Sequence, residues 1–306
     1  MPHLSIILPC YNAERYLAAT MLSIGAQTYR DFEFVIVNDG STDNSQQVLE
    51  SFAKNDHRIK VISRPNTGYV KALREAIEKS TGRLIARMDA DDIAKPDRLA
   101  KQVAFMEAHP EVVVLGGSYN LIDSEGRRLR TMNQPTDHDT LVQQCLGGTT
   151  PICHPLSMFR RDVYERVGGY DESTCPAEDL DLWLRMSEVG QLACLPDVLL
   201  DYRLHAGSVS ETKQAKQMEA IHSIVERAAR RRNITVDFKA GEGWRAHSAE
   251  GRHKQLLKYG WWAWSSGERA TARSYGWRSV VEKPVDIRAW KLLVTSILKR
   301  APGRAQ

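Results

Sequence analysis

Three carboxylates fall on four consecutive residues, Asp89-Ala90-Asp91-Asp92. Such a cluster repels itself unless a cation compensates it. Hard oxygen ligands suit Mg²⁺ or Mn²⁺, which commonly bind through one or two carboxylates together with substrate phosphates. Two other polar clusters accompany it, Pro9-Cys10-Tyr11-Asn12 and Asn38-Asp39-Gly40-Ser41-Thr42-Asp43. Each has a plain alternative, because Asn, Asp, Gly and Ser make turns and helix caps, a role that suits Asp43 and Asp92. That alternative is about even for any single loop and poor for all three together. No Walker lysine motif and no Gly-x-Gly-x-x-Gly follows the first apolar run, which weighs against a P-loop nucleotidase and a dinucleotide dehydrogenase.

The elements that carry these loops decide whether they meet. Residues 4–8 form a short apolar run of strand type, followed by helical periodicity from about Ala13 to Ala26. The strand pattern returns at 33–37, 59–63 and 84–88, and the helical one at about 44–53, 70–79 and 96–109, with Pro96 in the first turn of the last. Strands alternating with helices predict right-handed βαβ units and a mostly parallel sheet covered on both faces. In such sheets ligands bind beyond the carboxyl ends of the strands, where all three polar clusters stand. After Pro110 the pattern predicts strands at 112–116 and 119–122, a turn at Asp123-Ser124-Glu125-Gly126, helices at about 140–145 and 179–188, and a strand at 199–205. From Glu211 onward only helix-period segments occur, separated by breaks such as Ala240-Gly241-Glu242-Gly243. The expected division is 1–210 and 211–306.

Composition agrees with an ordered protein: 42% of the 306 residues are hydrophobic and 26% charged, enough to bury a real core. The apolar runs fall far short of the ~20 residues that span a bilayer, and the N-terminus lacks the basic and apolar regions of a signal peptide. A cytoplasmic location is therefore expected. The five cysteines are scattered, with no Cys-x-x-Cys pair, which argues against a disulfide framework or structural zinc. The formal charge of +4 hides an asymmetry: residues 211–306 hold 20 Lys and Arg against 9 Asp and Glu, a net +11, leaving −7 for the rest. Six of the seven tryptophans lie in that basic segment.

Taken in order, the motifs resemble family 2 glycosyltransferases of the GT-A fold. Those that carry the resemblance are Ser5-Ile6-Ile7-Leu8-Pro9-x-Tyr11-Asn12, Asn38 to Asp43, Asn66-x-Gly68 and Ala86-Arg87-Met88-Asp89-Ala90-Asp91-Asp92. His154-Pro155-x-Ser157, Gly168-Gly169-Tyr170-Asp171, Glu178-Asp179-x-Asp181-Leu182-Trp183 and Tyr202-Arg203-x-His205 continue it. The set covers about two thirds of the chain and looks most like bacterial enzymes that decorate surface polysaccharides; Arg74 departs from it, where relatives often carry Asn.

The resemblance implies an α/β, Rossmann-like GT-A domain and an inverting, metal-dependent transfer from a nucleotide-diphosphate sugar to a sugar or lipid-linked acceptor. Asp91 is the implied ligand to Mn²⁺ or Mg²⁺, Asp89 meets the metal or the ribose, and His205 adds an imidazole to the metal or diphosphate. Asp39 is expected on the base ring, and Pro9, Tyr11, Asn12 and Glu14 around the base and ribose. Lys71 would reach the nucleotide and Arg203 the departing phosphates. Asp179 is the candidate general base, with Glu178 and Trp183 towards the acceptor.

Two other classes compete. A sugar-nucleotide nucleotidyltransferase would show a Gly-rich basic loop after the first strand, where this chain has Pro-Cys-Tyr-Asn. A non-catalytic nucleotide-sugar-binding protein would lack Asp91 or Asp179. In the tail, Trp261-Trp262-x-Trp264 with Lys258, Arg269, Arg273 and Arg278 suits peripheral contact with the inner face of a membrane, or else the core of a small helical bundle. No recognition motif supports nucleic-acid binding.

Overall fold

The computed structural model describes residues 2–205, 214–236, 251–299 and 302. The expected boundary near 210, the break at 240–243 and Trp244 lie outside them. The described residues group into two compact units, one comprising 1–118, 133–201 and 213–241, the other 119–132, 202–212 and 242–306.

The first unit opens with β1 (Leu4–Cys10), α1 (Glu14–Gly25), β2 (Phe32–Asp39), α2 (Ser45–Ala53), β3 (Ile59–Arg64), α3 (Tyr69–Glu78) and β4 (Leu84–Arg87). β1 pairs in parallel with β2 and with β4, and β2 with β3. The central strands are buried along almost their whole length, as expected for parallel strands covered on both faces, whereas edge strand β3 is only half-buried. α3 closes one face by burying Val70, Leu73, Ala76 and Ile77, the spacing of a single helical stripe. The strand order β3-β2-β1-β4 reverses direction at β1. The loops after β1 and β4 therefore flank a topological switch point, the place where open α/β sheets hold ligands.

The chain continues through β5 (Ile93–Ala94), α4 (Arg98–Ala108), β6 (Val112–Ile122), β7 (Arg128–Met132), α5 (His138–Leu146), β8 (Met158–Arg160), α6 (Arg161–Arg166), α7 (Glu178–Met186), β9 (Gln191–Arg203) and α8 (Gln214–Arg232). These complete a mixed sheet in which β8 runs antiparallel to β4 and β6. Three expectations need correction. Pro96 lies in the turn before α4, whose cap is Asp97. The two strands expected around Gly116-Gly117 are one continuous strand. A side chain at 116 would meet Cys194 Sγ at 2.8 Å, so the glycine serves close packing instead of a break. The final strand begins at Gln191, eight residues earlier than the pattern suggested.

The second unit holds the end of β6 with β7, and three helices, α9 (Gly251–Ser265), α10 (Arg269–Glu282) and α11 (Ile287–Leu298). Leu257, Val280, Ala289, Leu292 and Leu293 form one core cluster, while Trp264 packs with Ala263 and Ala272 in another. Gly276 of α10 allows α11 to approach closely, since a Cβ there would sit 2.8 Å from Leu293 Cα. Among the described residues no helix is long and apolar enough to cross a membrane.

Candidate active site

The β1–α1 and β2–α2 loops are laced to each other. Asn12 sits in the left-handed region at φ 48°, which asparagine tolerates better than most residues. Its Oδ1 accepts from Thr42 N at 2.8 Å, and Ser41 Oγ accepts from Asn12 N at 3.0 Å. Glu14 Oε2 accepts from Asn44 N at 2.8 Å, and Asp43 Oδ2 accepts from Glu14 N at 3.0 Å. Asp43 also takes Ser45 N, so its carboxylate serves the starts of both α1 and α2 and the capping alternative holds for it. Tyr11, at the tip of this rim, is exposed.

Asp39, at the end of β2, is buried and accepts from Thr67 N at 3.0 Å and Gly68 N at 2.8 Å. Arg64 pairs with it at 2.8 Å. Asp39 thereby fixes the loop that opens α3. Lys71, in the first turn of α3, is half-exposed and lies 3.8 Å from Glu172, which Arg74 also meets.

Beyond β4, Asp89, Asp91 and Asp92 bring ligand oxygens within 4.8 Å of one another, with Asp89 and Asp91 partly open and Asp92 buried. Three hard donors at that spacing fit a divalent cation. Arg87, buried at the end of β4, donates from Nη2 to Asp89 Oδ1 at 2.7 Å. Burial alone would depress its pKa, but Asp89, Tyr170 and Glu178 outweigh that and hold the guanidinium above its ordinary value. Arg87 thus joins the acid cluster electrostatically to a second group of residues.

That group sits at the first turn of α7, where Glu178, Asp179 and Asp181 occupy the favourable, positive end of the helix dipole. Asp179 is partly exposed, and its Oδ1 accepts from Leu180 N at 2.8 Å. Glu178 is buried beneath it and accepts from Tyr69 OH at 2.5 Å, with His154 Nδ1 at 3.7 Å. Burial, and then the neighbouring charge of Asp179, raise the Glu178 carboxyl to about 7. Burial and the charge of Arg87 push His154 well below its ordinary value, so the imidazole is neutral, and its Nε2 meets Tyr170 OH at 2.7 Å.

The two residues expected to face the acceptor are corrected by these positions. Trp183 is 0% exposed and packs edge-on against His154 with ring centroids 5.9 Å apart, so its indole is a core support. Glu178 is likewise enclosed, beneath Asp179. Arg203 and His205 belong to the second unit, where Arg203 is buried and donates to Asp123 O at 3.1 Å. Arg87, Tyr69, His154 and Tyr170 had no role in the sequence reading. Only Arg87 left a local signal, as a cation closing an otherwise apolar strand two residues before the acids.

The switch-point sheet with an acid cluster beside it is a GT-A fold, the architecture of nucleotide-sugar transferases. The sequence profile of "Glycosyl transferase family 2" matches residues 5–168, and the chain belongs to that family. Its relatives include the amylovoran biosynthesis glycosyltransferase AmsE of Erwinia amylovora, 32% identical over 68% of this chain and 79% of that one. Solved structures with the same fold include S. aureus TarS 1–349 in complex with UDP-GlcNAc, at 19% identity and TM-score 0.62 over 98% of this chain and 81% of that one. The mannosyltransferase PcManGT from Pyrobaculum calidifontis, in complex with GDP-Man and Mn²⁺, superposes with TM-score 0.59 at 19% identity, over 97% and 80% of the two chains. The protein is a glycosyltransferase, and the nucleotidyltransferase and non-catalytic alternatives fall away.

Proposed function

We propose that the protein transfers a sugar, with inversion, from a nucleotide-diphosphate sugar to an acceptor hydroxyl in bacterial surface polysaccharide or glycolipid synthesis. The observation that carries the reading is the acid cluster at the end of β4, coupled through Arg87 to Glu178 at the start of α7, where the neighbouring Asp179 is partly exposed. The name of AmsE supports the polysaccharide context, and the complexes of TarS and PcManGT support a nucleotide-sugar donor.

In this mechanism Asp179 accepts the acceptor's hydroxyl proton as its oxygen bonds to the anomeric carbon from the face opposite the diphosphate. The bond from that carbon to the diphosphate oxygen breaks with its electron pair leaving on the phosphate. A single displacement of this kind inverts the anomeric centre. Asp91 and Asp89 would hold a Mn²⁺ or Mg²⁺, whose chemical contribution is to neutralise the charge gathering on the diphosphate. Arg87 fixes the Asp89 carboxylate from behind. Pro9, Tyr11, Asn12, Glu14 and Asp39 shape the rim for the base and ribose, with Lys71 on the nucleotide. The enzyme works at the cytoplasmic face of a membrane that carries the acceptor. Titrating a panel of nucleotide-diphosphate sugars calorimetrically tests the reading: at least one binds with Mn²⁺ present, and that binding disappears on chelation.

A further inference from the structure

The three helices of the second unit carry a surface that the transfer chemistry does not use. α11 buries Ala289, Leu292, Leu293 and Ser296 on one side, yet its opposite side is also apolar. Ile287 is 80% exposed and Leu298 75%, with Trp290 and Val294 between them also open. The spacing i, i+3, i+7, i+11 sets these four on a single stripe running the length of the helix. Val285, in the turn before the helix, is 87% exposed as well. The tryptophans of this unit therefore divide: Trp264 is buried in a helical core, whereas Trp277 and Trp290 face outward. The Trp290 indole N–H is already engaged by Pro284 O at 2.8 Å, so the ring can enter an apolar medium without stranding a donor.

Cations flank the stripe. Lys254, Leu257, Lys258 and Trp261 of α9 face Arg288 and Lys291 of α11 across a cleft of about 350 Å³. Arg288 pairs with Asp286 at 2.7 Å, and three lysines line the cleft with it. Residues 251–299 as a whole hold ten Lys and Arg against three Asp and Glu.

We propose that this face of α11, with the lysines of the cleft beside it, seats the protein on an anionic phospholipid bilayer. An apolar stripe bordered by lysines and open tryptophans matches the boundary between acyl chains and acidic headgroups. The proposal rests on the membrane location in the functional reading and names the face that meets the bilayer.

Full-length protein is co-sedimented with phosphatidylcholine vesicles, with and without phosphatidylglycerol. It binds those containing phosphatidylglycerol, and salt weakens the binding. Lys254→Gln with Lys291→Gln lowers that affinity by at least about tenfold. Val294→Ser with Leu298→Ser lowers it as well, while circular dichroism and donor binding stay unchanged in both variants. Equal binding to neutral vesicles, or wild-type binding by both variants, overturns the proposal. So does a dimer in ultracentrifugation that Val294→Ser with Leu298→Ser disperses while vesicle binding is absent. If vesicles are ignored but sugar transfer to a soluble acceptor persists, the docking surface is wrong and the functional reading stands.

Discussion

Tyr69 donates its phenolic hydrogen to Glu178 Oε2 at 2.5 Å, joining the start of α3 to the start of α7 across 109 residues of sequence. The bond satisfies a carboxyl that burial and the charge of Asp179 hold at about 7. It also anchors the first turn of α7, which carries the proposed base.

Glu178 therefore makes stability depend on pH. Its unfolded carboxyl ionises near 4.5 and the folded one near 7, so its stabilising contribution is complete below 4.5 and is lost as pH rises through 7. Glu178→Gln keeps an acceptor for Tyr69 and cannot ionise. Urea unfolding of wild type and Glu178→Gln across this range is expected to show the wild type losing stability relative to the variant as pH rises. Parallel curves would show that the carboxyl does not titrate in this window.

Arg87 is a buried cation of the site, and removing it takes away the guanidinium that pairs with Asp89. Arg87→Met is expected to destabilise the fold by about 3–5 kcal/mol, the usual result of breaking a buried pair. It should also weaken donor binding, because Asp89 loses the group that orients it. Denaturant unfolding combined with calorimetric donor titration checks both effects. Unaltered stability would mean that Arg87 and Asp89 do not form the close pair found here.

How the sequence discloses these features follows from their range. The alternation of strands and helices over the first hundred residues is local hydrophobic periodicity, and β1 to β4 and α1 to α4 follow it to within a few residues, whereas the two-residue β5 was not expected. Asp89-x-Asp91 is visible because its acids are neighbours in the chain, and the structure brings their oxygens within 4.8 Å. Partners far apart in sequence leave no such trace. Nothing near Tyr69 announces Glu178, and nothing near Trp183 distinguishes a core indole from an acceptor platform. The Gly116-Gly117 pair misleads because glycine marks both breaks and close contacts, and only the position of Cys194 decides between them.

Metal dependence is the next expectation. EDTA should abolish transfer, and Mn²⁺ or Mg²⁺ should restore it, since Asp89, Asp91 and Asp92 bring three hard ligand oxygens within 4.8 Å of one another. Thermal melts should show the wild type stabilised by Mn²⁺ and Asp91→Ala much less so. Full turnover after exhaustive chelation would remove the cation from the mechanism.

The central claim, that Asp179 takes the acceptor's proton while the acids of the β4 loop hold the donor, is tested most directly by steady-state transfer in Asp179→Asn at saturating donor, acceptor and Mn²⁺. The substitution preserves size and removes the proton acceptor. The account predicts a fall in kcat of at least about a hundredfold with donor affinity nearly unchanged, whereas Asp91→Ala loses donor affinity as well. Turnover of Asp179→Asn near the wild-type rate would contradict it and place the base elsewhere.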